Sequence, residues 1–92
     1  MSEAANKEQY KKLLSEIIAK QAVILGPQIA VIKARNVPVL EVSDDGEVLD
    51  IKGDPQEAVE KLIDVYVELS GMIVKNALGS IFAKYPTIKK VD

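Results

Sequence analysis

Ninety-two residues, 48% apolar and 28% charged, fit a single domain that folds, because the chain is too apolar for disorder and too short for two cores. With no cysteine and no histidine, disulfides, thiolate nucleophiles, the usual zinc sites and imidazole acid-base chemistry are excluded, and a net charge of −2 argues against a surface that neutralises phosphates. The polar start, Met1 to Lys7, lacks the apolar run of a signal peptide, and no later run is long enough to span a bilayer, so a cytoplasmic protein without membrane contact is expected.

The first element begins after Asn6, a competent N-cap with Gln9 three residues on to close a capping box. Tyr10, Leu13, Leu14, Ile17, Ile18 and Ala22 recur at the spacing of one helical face, while Lys11, Lys12, Glu16 and Lys20 take the other. This predicts an amphipathic N-terminal helix. Gly26-Pro27 breaks the pattern, since proline disfavours helical geometry in the residue before it yet suits the first turn of a new helix. A short helix is expected over Pro27 to Arg35, with Ile29, Ala30, Ile32 and Ala34 on its buried side. Asn36 is read as its left-handed terminator, and Pro38 prevents resumption.

The apolar period then changes from 3.6 to 2. Val39 to Ser43 and Glu47 to Ile51 flank Asp44-Asp45-Gly46, and Asp-Gly supplies the positive φ that a tight turn needs, so a β-hairpin is predicted at about 39–52. Leu40, Val42, Leu49 and Ile51 are expected to share its buried face. Gly53-Asp54-Pro55-Gln56-Glu57 then reads as the start of a helix: a glycine to end the strand, an aspartate cap, proline at the first position and an acidic first turn.

From Leu62 to Phe82 apolar residues cover far more than one stripe, and only Glu57, Lys61, Asp64, Glu68 and Lys75 trace a narrow polar face. The pattern predicts one long C-terminal helix at about 54–85 that this small chain cannot cover by itself. Ser70-Gly71 and Gly79-Ser80 would allow a close helix crossing between two copies, and a break at Gly71 is the competing reading. The expected interface comprises Tyr66, Leu69, Gly71, Met72, Ile73, Ala77, Leu78, Gly79, Ile81 and Phe82. The expected architecture is α+β, a single domain over 1–92 with 1–6 and 87–92 frayed, assembled as an intertwined homodimer.

No pattern of catalytic, cofactor-binding or metal-ligating residues rises above background, and an enzyme is not expected. Glu41, Asp44, Asp45, Glu47, Asp50 and Asp54 gather around the hairpin without the spacing of a calcium loop, which makes a turn and a solvated strand edge the simpler reading. Lys33, Arg35, Lys84, Lys89 and Lys90 are basic, but the helix between them is apolar rather than set with base-reading side chains. Tyr10, Tyr66 and Tyr85 stand among apolar neighbours and suit packing with a wet hydroxyl. Richness in Ile, Val, Lys and Glu resembles thermophile composition. The expected function is a protein-interaction or oligomerisation module, including the role of a regulatory accessory subunit, with a second copy as partner and another protein beyond it. The alternatives are a small dimeric nucleic-acid-binding regulator and a small-ligand binder using a pocket between subunits.

Overall fold

The computed structural model describes residues 7–86 and 88, and every side chain within them except those of residues 70 and 72–77. The elements in chain order are α1 (Lys7–Leu25), α2 (Pro27–Ala34), β1 (Leu40–Val42), β2 (Val48–Ile51), α3 (Pro55–Ser70) and α4 (Met72–Ala83). Among the described residues this is an α+β fold of four helices and one antiparallel hairpin. The expected cap at Asn6 and the expected fraying of 1–6 and of 87 and 89–92 lie outside the described residues.

The amphipathic stripe of α1 behaves as its spacing requires: Leu13, Leu14, Ile17 and Ile18 are fully buried, and Tyr10 and Ala22 pack at the edge of the same cluster. At Gly26, φ is +95°, so the chain turns a corner there while Gly26 N–H still donates to Ala22 O and its carbonyl receives Ala30 N–H. Helix α2 then buries Ala30, Val31 and Ala34, leaving Ile29 and Ile32 exposed, which corrects the expected face. Two helical turns carrying apolar residues at 29, 30, 31 and 32 have no preferred side of their own, and the corner decides which one points inward. Nor does Asn36 adopt the left-handed conformation. No described residue except glycine has positive φ, and α2 unwinds through i to i+3 turns, Asn36 N–H to Lys33 O and Val37 N–H to Ala34 O.

In the hairpin Leu40 pairs with Ile51, Glu41 with Asp50 and Val42 with Val48, with a bulge between Glu41 and Val42. The connection spans Asp44, Asp45 and Gly46 with Gly46 at φ +87°, and Ser43 N–H closes it onto Glu47 O at 2.9 Å. Between the Val42–Val48 and Glu41–Asp50 pairs β2 carries one extra residue, Leu49, and this bulge shifts the alternation. Val48 and Ile51 are therefore buried and Leu49 is exposed, correcting the expectation that Leu49 faced inward. Arg35 fastens the loop to α2, its guanidinium donating to Val42 O at 3.1 and 3.2 Å and to Asp44 Oδ1 at 2.7 Å.

Helix α3 starts where its punctuation places it: Asp54 accepts Glu57 N–H at 3.3 Å, with Pro55 in the first turn. The long helix expected over 54–85 is not present. Gly71 takes φ 59° and ψ −126°, a conformation open to glycine and strained for other residues, and separates α3 from α4. The physical reason is tertiary: the turn sends α4 back along α1, where Leu78, Ile81 and Phe82 join the core. Tyr10 hydroxyl donates to Gln56 Oε1 at 3.2 Å, setting the starts of α1 and α3 side by side, whereas Lys84, just past α4, reaches Glu16 in mid-α1 at 2.9 Å. Helix α3 thus runs with α1, and α4 runs against it.

Candidate functional site

Progress along α1 and α3 from the Tyr10–Gln56 contact, at about 1.5 Å per residue, brings Val23, Ile24 and Leu69 level after roughly 20 Å. Ile29 follows in the first turn of α2, immediately beyond the Gly26 corner, and Ile32 lies one turn further. All five aliphatic side chains are exposed, Val23 at 85% and Ile32 at 55%. Val23, Ile24, Ile29 and Leu69 therefore lie in the helical turns next to the α1–α2 and α3–α4 breaks, and Ile32 lies beyond them beside Arg35 and Asp44. Two grooves adjoin these residues. One, about 300 Å³, lies between α1 and α4 and includes Ala19, Lys20, Val23 and Ile81; the other, about 340 Å³, lies along α2 between Pro27, Ile32 and Arg35.

The residues expected at an interface divide into three groups. Tyr66, Leu78, Ile81 and Phe82 are buried in the core of their own chain, and the Tyr66 hydroxyl donates to Ala30 O at 2.6 Å. Leu69 is exposed, and Gly71 and Gly79 are half-buried with nothing among the described residues within 4 Å of where a Cβ would sit. The side chains of Met72, Ile73 and Ala77 lie outside the described residues. Val23 and Ile24 were not among the expected residues, although a signal was available: Val23 stands two residues past Gln21, off the stripe formed by Leu13, Leu14, Ile17, Ile18 and Gln21.

Beneath the surface lies an unusual group. Gln21 is fully buried among the apolar residues of α1, and among the described residues neither its amide nitrogen nor its amide oxygen has a hydrogen-bond partner. Most buried polar groups are satisfied, so this amide is a local cost to the fold.

A separate polar cleft of about 500 Å³ runs between α1, β2 and Tyr85. Ser15 Oγ donates to Lys11 O at 2.8 Å and accepts Val48 N–H at 2.9 Å, which ties the hairpin to the helix. Lys11 Nζ meets Glu8 at 3.1 Å and Leu49 O at 3.3 Å. Glu16 accepts from the Tyr85 hydroxyl and from Lys84, and the Tyr85 hydroxyl in particular holds its carboxyl below the usual range. Burial, together with Glu16, pushes the Tyr85 phenol up to about 12. The cleft therefore pairs an ionised carboxylate with a protonated phenol, an arrangement that fastens the end of α4 to α1. The side chains of Lys12 and Glu47 also line it.

Of the acidic cluster, Asp44 pairs with Arg35, Asp50 with Lys7, and Asp54 caps α3. Of the basic residues, Arg35 and Lys84 are held in ion pairs, and Lys89 and Lys90 lie outside the described residues. Among the described residues no helix is long and apolar enough to cross a membrane. No protein-family model, curated protein or solved structure matches the chain.

Proposed function

We propose that this protein is an interaction and oligomerisation module that holds a second copy of itself through the apolar end where α1, α2 and α3 meet. The observation that carries the reading is the exposure of five large aliphatic side chains, Val23, Ile24, Ile29, Ile32 and Leu69, on α1, α2 and α3. Contiguous aliphatic surface is what protein partners cover, at about 25 cal/mol for each Å² removed from water. A two-fold arrangement is the commonest way for a small chain to close such a surface on itself. The resulting dimer suits a regulatory accessory subunit, whose remaining charged faces stay available to a larger protein.

The test is a double substitution, Val23→Asp with Ile29→Asp, on side chains that already face solvent. The parent should sediment as a dimer, and the variant as a monomer with unchanged helical circular dichroism. A parent that is monomeric at every concentration, or a well-folded variant that remains dimeric, overturns the reading.

A further inference from the structure

The break between α3 and α4 has only Gly71 as local support in the sequence. Where α3 begins, a capping aspartate, a proline and an acidic first turn all mark the boundary. Where α4 begins there is none of these: Gly71 provides no side-chain cap, and the first turn, Met72-Ile73-Val74, carries no acid. Gly71 N–H still donates to Val67 O at 2.8 Å, as in a continuing helix. The turn thus depends on one residue at φ 59°, and on the packing of Leu78, Ile81 and Phe82 in the core together with the Glu16 contacts of Lys84 and Tyr85.

We propose that Gly71 is a hinge for exchange of α4 between two copies of this chain. With Gly71 in helical geometry, α3 and α4 become one helix from Pro55 to Ala83, roughly 40 Å long. Helix α4 is then carried away from its own α1, and Leu78, Ile81 and Phe82 are left in water. A second copy opened in the same way restores every lost contact, its α4 lying on the first chain's α1 and the reverse. The exchanged dimer keeps the packing of the closed monomer, continues the helical hydrogen bonds through the hinge and removes the positive φ, the conditions under which swapping costs least. Among the described residues nothing stands within 4 Å of a Cβ built at Gly71, and the positive φ opposes a side chain there in the closed form. The surface bearing Leu69, Val23 and Ile24 lies beside the hinge, where the two long helices would enter the partner subunit. This inference rests on the reading that the partner is a second copy, and it specifies how that copy is held.

Because the chain has no cysteine, single cysteines report the exchange without interference. A Glu16→Cys chain and a Lys84→Cys chain are mixed, unfolded, refolded together and treated with a short bis-maleimide. Exchange predicts a covalent adduct of one chain of each kind, formed in the dimer fraction. Gly71→Ala should raise the dimerisation constant about a thousandfold, because each of two chains loses a strained positive φ and gains a better helix former, roughly a thirtyfold effect per chain. A dimer in which no mixed adduct forms, while a chain carrying both cysteines cross-links internally, overturns the exchange and leaves self-association standing. A Gly71→Ala chain that folds yet remains monomeric also overturns the exchange, and the Val23→Asp, Ile29→Asp comparison then decides the dimer reading separately.

Discussion

Replacing Gln21 with methionine should stabilise the protein. The side chain is fully buried and neither polar atom of its amide finds a partner among the described residues, so the folded state carries a desolvation cost of about 1–3 kcal/mol that an apolar group of similar length does not. Glutamine and methionine are both unbranched with near-equal helix propensity and similar side-chain entropy, so those contributions cancel. Imperfect packing of the thioether takes back up to about 1 kcal/mol. The net gain is then about 0–3 kcal/mol, centred on about 1.5 kcal/mol, and at that centre the melting temperature of a domain of this size rises by roughly 6–12 °C. Urea unfolding and thermal melts followed by circular dichroism, at one fixed protein concentration because association shifts both, would measure it. A melting temperature that falls shows that the amide is satisfied in solution, and refutes the assignment of Gln21 as an uncompensated polar group.

Three further outcomes follow from the packing. Tyr66→Phe removes the buried hydroxyl bond to Ala30 O and should lower stability by about 1 kcal/mol, read as a shift in the denaturation midpoint with unchanged slope. Gly46→Ala should cost about 1–3 kcal/mol in the same assay, because φ there is +87° and the new methyl would approach Ile18 Cγ2 at 3.0 Å. Spectrophotometric titration should show phenolate absorbance rising above the ordinary tyrosine range, with Tyr85 near 12, while the fold persists. All three tyrosines are raised above the ordinary value of 10.0, Tyr85 to about 12 with burial as the first cause. A raised phenol pKa favours the folded state below pH 10 and loses that contribution as the pH climbs from 10 through about 12, so alkaline unfolding and phenolate absorbance should rise together.

Much of the architecture was legible in the residues, wherever a local rule and the tertiary packing agree. The 3.6-residue stripe of α1, the corner at Gly26-Pro27, the hairpin around Asp45-Gly46 and the start of α3 at Asp54-Pro55 are all of this kind. The failures come where a local pattern is degenerate and packing decides. Helix α2 is too short and too evenly apolar for its period to select a face, so spacing alone does not reveal that Ile29 and Ile32 point outward. Leu49 turns outward because it is the extra residue of a bulge opposite Glu41 and Val42 that shifts the alternation, which a strict period of two cannot register. At Gly71 the sequence permits both a continuous helix and a turn, and the choice rests on whether α4 lies on its own α1. That same ambiguity placed Leu78, Ile81 and Phe82 at an interface when they fill the chain's own core, while the exposed aliphatic residues sit nearby at Val23, Ile24, Ile29, Ile32 and Leu69.

The most direct test of self-association is the mass of the unmodified protein by sedimentation equilibrium across a wide concentration range. The account predicts a species of twice the 10.0 kDa chain mass that dissociates on dilution. A single species of 10.0 kDa at every concentration would contradict it.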